Sequence, residues 1–204
     1  MKLNMDKDLG KHIENLVARA FEEDGARVKF EASKPKGTPM PEERLPGSKA
    51  PQIKVAIGSD HRGFPLKSVL AELIGELGHL VVDCGVSKGE TGDYPNIAQA
   101  VAGKVASKTC DRGIVIDMVG VGSAIAANKI DGIRAATCYE VEAARSSRLH
   151  NDANVLSLGS SYVNRGLARR MVRIWLETPF EGGRHIQRIE KIAKLEKEGL
   201  DARL

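Results

Sequence analysis

From Ile53 onward the chain alternates, at short and regular intervals, between two kinds of apolar pattern, and this alternation limits its fold more than any other feature. IKVAIG, from Ile53 to Gly58, is a continuous apolar run of strand length. Between Gly63 and Leu77 the apolar positions move to Leu66, Val69, Leu70, Leu73, Ile74 and Leu77, the three- and four-residue spacing of one helix face. The strand pattern returns in HLVVDCG, GIVID, IRAATCY and ANVLSLG. The helical pattern returns over Ile97 to Ala106, Ser123 to Lys129, Val141 to Leu149, Gly166 to Leu176 and about 184 to 198. Alternation of this kind predicts right-handed crossovers and an α/β fold: a doubly wound, Rossmann-like, five-stranded parallel sheet with helices on both faces and a charged C-terminal helix.

The first fifty residues read differently. His12, Ile13, Leu16, Val17 and Phe21 fall on one helical stripe. The stretch EASKPKGTPMPEERLPGSKAP then carries too many prolines for a helix or a central strand. The expected organisation is an N-terminal extension over residues 1–51, an amphipathic helix plus a Pro-rich arm, and a domain over residues 52–204. The apolar stripe needs burial, so the extension is expected to embrace a partner subunit.

Composition excludes several classes of function. No window reaches the ~18 consecutive apolar residues of a membrane span, and the start MKLNMDKDLGKHIENL lacks the apolar core of a secretory signal. A cytoplasmic protein is therefore expected, with no membrane partner. Cys84, Cys110 and Cys138 are odd in number and form no C-x-x-C pair, which argues against a disulfide framework and a zinc site alike. The net charge of +4 is spread among interleaved acids and bases and aromatics are only 4% of the chain, so no nucleic-acid surface is expected.

In a doubly wound sheet, ligands bind beyond the C-terminal ends of the strands. That rule selects Asp60 and His61 after the first strand, Asp83 and Cys84 at the end of the second, Asp117 at the end of the third and Tyr139 at the end of the fourth, all expected on one rim. After Asp117 comes the turn Gly120-Val121-Gly122-Ser123. Its N–H groups form an anion nest on one reading and a tight strand-to-helix connection on the other. It matches neither the dinucleotide fingerprint, since Ile125 replaces the third glycine, nor the Walker motif. In RSSRLHNDAN, His150 and Asn151 serve either as a capped helix end or as an acid-base histidine with a neighbouring donor at the rim. In FEGGRHIQRIE, Arg184 and Arg188 share a helix face beside His185, as a phosphate grip or as a solvated basic face.

Together GSDHRGFPLK, GDYPNIA, GVGSAIAANK, GIRAATC, SRLHNDANVLSLG and FEGGRHIQRIE resemble the ribose-5-phosphate isomerase type B family, which includes the galactose-6-phosphate isomerase subunits. The resemblance covers about residues 53 to 191. It implies aldose-ketose isomerisation of a small sugar phosphate without metal or cofactor, in a homodimer or tetramer with active sites shared between subunits. By position, Asp60 and His61 resemble the pair that meets the sugar, Asp93 and Tyr94 the D-Y-P loop, His150 the ring-opening histidine, Asn151 a substrate contact, and Arg184, His185 and Arg188 the phosphate ligands. Gly120, Gly122 and Ser123 fall in the substrate-binding turn.

The chain departs from the family where the chemistry is most demanding. Asp117 stands where many members have a cysteine base, Val119 where a hydroxyl helps hold the enediolate, Ser123 where others have a glutamate base, and Ser161 where many have a phosphate-binding arginine. A buried carboxylate is a stronger base than a solvated one, and Ile116, Met118 and Val119 are expected to bury Asp117 in an apolar wall. The N–H groups of Val121, Gly122 and Ser123 would then hold the enediolate. The other reading is a catalytically silent sugar-phosphate-binding protein or the subunit of a heteromeric isomerase.

Overall fold

The computed structural model describes residues 51–201; the expected N-terminal helix and nearly all of its Pro-rich arm lie outside them. Eleven elements follow in order: β1 (Lys54–Ser59), α1 (Phe64–Glu76), β2 (Leu80–Asp83), α2 (Tyr94–Ala106), β3 (Arg112–Asp117), α3 (Val121–Ala127), β4 (Ala135–Thr137), α4 (Val141–Leu149), β5 (Val155–Gly159), α5 (Arg165–Glu177) and α6 (Arg184–Asp201). The strands form one parallel sheet in the order β2-β1-β3-β5-β4.

Side chains alternate across the sheet, and each face carries its own core. Val55, Ile57, Ile114, Ile116, Leu156 and Leu158 face α1, α4 and α5, where Leu70, Leu73, Met171 and Trp175 are fully buried. Ala56, Val115 and Val155 face the other way, onto Ala98, Val101 and Ala102 of α2 and Ala127 of α3. The doubly wound five-stranded sheet read from the periodicity is therefore the observed one. Element boundaries differ in detail: α2 begins at Tyr94, earlier than Ile97, because Pro95 in its first turn tolerates a missing N–H.

The strand order determines where a ligand can sit. β1 pairs with β2 on one side and β3 on the other, so the connections leaving β1 and β3 diverge and open a crevice at their C-terminal ends. β2 and β4 are the two edge strands, and the Asn128 side chain covers β4, donating to Ala135 O at 3.0 Å and accepting from Ala135 N at 2.7 Å. A side-chain amide thus stands where another strand would pair.

Candidate active site

The end of β3 is organised around one carboxylate. Asp117 is 6% exposed and accepts four hydrogen bonds: Oδ1 from Val119 N at 2.7 Å and from Gly120 N, Oδ2 from Ser123 N at 3.0 Å and Ser123 Oγ at 2.6 Å. A carboxylate has about four lone-pair positions, so those of Asp117 are filled. The turn closes because Gly120 takes φ 89°, in the left-handed region, where a Cβ would also meet Leu158 C at 2.9 Å. Gly120 O in turn accepts from Ser157 Oγ at 2.5 Å and Thr137 Oγ1 at 3.2 Å.

This corrects two expectations. The surroundings of Asp117 are not an apolar wall: Met118 is 40% exposed, and the groups that touch the carboxylate are donors. Ser123 is 2% exposed and gives both its N–H and its hydroxyl to Asp117, so neither is open to a substrate. Among the described residues, the N–H groups of Met118, Val121 and Gly122 are without a partner at this turn.

Around this turn lie the other rim residues. Asp60 is 8% exposed; its Oδ1 accepts from Arg62 N at 3.0 Å and Gly63 N at 2.8 Å, leaving Oδ2 for other contacts, and His61 beside it is exposed. Asp93 is exposed at the N-cap of α2, and the Tyr94 ring lies so close to Gly122 that a Cβ there would meet it at 2.7 Å. Tyr139 donates to Val119 O at 2.9 Å and packs at 5.5 Å on Tyr162. A groove of about 610 Å³ opens beside Met118 and Ser160. Ser161 lines it, and Arg62 and Arg165 supply its cations.

His150 and Asn151 are not on this rim, contrary to the expectation of a rim histidine. α4 leaves the C-terminal end of β4 and runs back against the strands, so its C-cap, His150, arrives where β5 begins. β5 runs from Val155 to Gly159, the residue paired with Asp117, about 13 Å along a strand at ~3.3 Å per residue. Within one chain, His150 and Asp117 therefore sit at opposite ends of the sheet.

The second cluster has its own framework. Arg148, 2% exposed, donates to Asp152 Oδ1 and Ala153 O, both at 2.7 Å, and Arg134 donates to Asp152 Oδ2 at 2.8 Å. Asp152 itself has φ 45°, so this paired buried arginine holds a tight reversal directly after His150. Ser146 Oγ meets His150 Nδ1 at 3.0 Å and fixes the ring, whose Nε2 faces Glu181 at 3.7 Å. The loop carrying Glu181 is tied to α4, since Glu181 N donates to Leu149 O at 3.0 Å. His185 stacks on His150 at 4.6 Å and also faces Glu181, at 3.5 Å. Burial, then the charges of His150 and Arg184, push the His185 imidazole below its usual range.

Of the three expected phosphate ligands, Arg184 and Arg188 are exposed while His185 is 4% exposed and turned toward a carboxylate. Glu181 is the residue the sequence reading missed. Its only signal was the i,i+4 spacing to His185 in FEGGRH.

The chain is similar to known proteins of one group. A family model described as Ribose/Galactose Isomerase matches residues 55–192. Ribose-5-phosphate isomerase B of Escherichia coli is 48% identical over 143 residues, covering 70% of this chain and 96% of that protein. D-erythrulose-4-phosphate isomerase of Pectobacterium atrosepticum is 34% identical over 145 residues, covering 71% and 95%. The solved structure of Clostridium thermocellum ribose-5-phosphate isomerase B superposes with a TM-score of 0.70 at 48% identity, covering 72% of this chain and 99% of that one.

Proposed function

Because the chain belongs to the ribose/galactose isomerase family, we propose that it interconverts an aldose and a ketose form of a small sugar phosphate through an enediolate, without a cofactor. The relatives named for ribose 5-phosphate and for D-erythrulose 4-phosphate support a C4 to C6 sugar phosphate as the substrate class. No helix among the described residues is long and apolar enough to cross a membrane, and the three cysteines are free, in keeping with a cytoplasmic enzyme.

One observation carries the reading of the site: each chain has half of the required chemistry at each end of its sheet. The rim holds Asp117, Asp60, His61 and the free N–H groups of Val121 and Gly122, and the opposite end holds His150, Asn151, Arg184 and Arg188. Aldose-ketose isomerisation needs a base at the C–H beside the carbonyl, donors for the enediolate oxygen, an acid-base group to open the ring and cations for the phosphate. Two copies packed rim to base bring these together in a homodimer with shared sites. His150 opens the ring, Asn151 contacts the sugar, and Arg184 and Arg188 grip the phosphate, with His185 supporting the His150 ring.

Asp117 is the proposed base, acting through Oδ2. Three of its four donors are backbone N–H groups fixed by the turn, whereas the fourth, the Ser123 hydroxyl, can rotate away and free a lone pair. The silent-binding alternative rests on the filled lone pairs of Asp117 and has no counterpart among the relatives named above. A panel of C4 to C6 aldose and ketose phosphates, followed by C2 proton exchange in deuterated water, decides between them. Exchange and equilibration are expected; binding with neither would overturn the enzyme reading.

A further inference from the structure

At the base of the sheet His150, Glu181 and His185 present one ligand atom each, all within 4.8 Å of one another. Two imidazoles and a carboxylate are a ligand set that zinc favours, and tetrahedral bonds near 2.0 Å require ligand atoms roughly 3.3 Å apart. Two of the separations are already close to that: His150 Nε2 and His185 Nε2 lie 3.7 and 3.5 Å from Glu181 Oε2. The stacked rings turn the same edge toward the carboxylate. The Ser146 hydroxyl holds Nδ1 of His150, the outer contact that orients a metal-binding histidine. His185 accepts from Arg184 Nε at 3.5 Å through Nε2, so that nitrogen carries a lone pair.

We propose that His150, Glu181 and His185 form a site for one divalent transition-metal ion of the zinc type, and that its occupation blocks the enzyme. The blocking half of this proposal rests on the isomerase reading above, because the ion takes the nitrogen through which His150 would move the ring-opening proton. Metal and substrate then exclude each other. Arg184, the nearest cation, must swing off His185 when the ion enters, which removes one phosphate ligand as well. The fourth coordination position faces outward, since His150 and Glu181 are both partly exposed, and is open to water. Glu181 holds the two histidines in register when the ion is absent and neutralises part of its charge when it is present.

The test uses the full-length protein, first freed of metal with a chelator. Equilibrium dialysis against zinc chloride is expected to give one ion per chain. Zinc is expected to inhibit turnover competitively with the sugar phosphate, with recovery on adding chelator. Glu181→Gln should lose zinc affinity by roughly tenfold or more. His185→Ala should lose affinity similarly. Absence of stoichiometric binding, or binding unaltered in both variants, overturns the proposal. Unaltered binding would place the ion elsewhere, for example at the half-buried thiol of Cys84. The two readings fail separately: Glu181-dependent zinc binding by a protein that isomerises nothing removes the isomerase and leaves the site, while turnover without zinc binding removes the site alone.

Discussion

The Ser123 hydroxyl donates to Asp117 Oδ2 at 2.6 Å, and so a rotatable hydroxyl in the turn after β3 occupies the oxygen proposed above as the base. A hydrogen bond to a charged group contributes about 1.5–3 kcal/mol. Ser123→Ala is therefore expected to lower unfolding stability by that order while retaining kcat, because it frees the lone pair the base needs. Chemical denaturation and initial rates on the same preparation check this. A loss of kcat with unchanged stability would mean that Ser123 itself takes part in the chemistry.

Replacing Asp117 separates base from clamp. Asp117→Asn keeps the size but turns an amide toward a donor, and turnover should fall by about 10² or more, as for loss of a general base, while isothermal titration still detects sugar-phosphate binding. Asp117→Cys should recover part of the rate, since a thiolate at the same position can also take the proton. Equal activity in wild type and Asp117→Asn would leave Asp117 with a structural role only.

The base of the sheet should respond to pH through His185. Its imidazole is pushed below the usual range by burial and by the charges of His150 and Arg184, with Arg188 adding to the effect and Glu181 opposing it. The unfolded chain takes up that proton near pH 6.5, whereas the folded chain takes it up only at lower pH. Unfolded protein thus binds more protons below about pH 6.5, so stability is full above that value and falls as the medium becomes more acid. The melting temperature, followed from about pH 7.5 down to about pH 5.5, should drop, and the drop should be shallower in His185→Gln. Parallel curves would show that His185 does not carry the effect.

Thiol reagents should leave the protein active. Cys110 and Cys138 are 1% and 2% exposed, and burial pushes the Cys138 thiol up to about 11, with Cys84 and Cys110 raised for the same reason. Only the thiolate reacts readily. Iodoacetamide near neutral pH is expected to leave turnover unchanged; rapid inactivation tracking modification of one cysteine would contradict the assignment of these side chains to packing.

Much of the fold was legible in the chain because period 2 and period 3.6 are local properties. Leu66, Leu70, Leu73 and Ile74 announce a helix face, and Ile114, Val115 and Ile116 a strand buried on both sides. The insertion of β5 between β3 and β4 was not legible, since strand order depends on which edges pair. His150 was assigned to the wrong end of the sheet, although direction alone settles the matter: a helix that starts at the rim ends at the base. The donor cage of Asp117 was hidden because it joins residues six apart through a turn that only the positive φ of Gly120 allows. Glu181 was overlooked because its partners come from two separate helices, α4 and α6.

The shared site is tested most directly by mixing two disabled chains. Asp117→Asn and His150→Asn are each expected to be inactive as pure dimers, because every site lacks one essential group. Dissociation and reassociation of an equal mixture gives heterodimers in which one of the two sites is intact, so about a quarter of wild-type activity should return. A mixture shown by mass spectrometry to contain heterodimers, yet no more active than its components, would contradict a site built from the rim of one chain and the base of another.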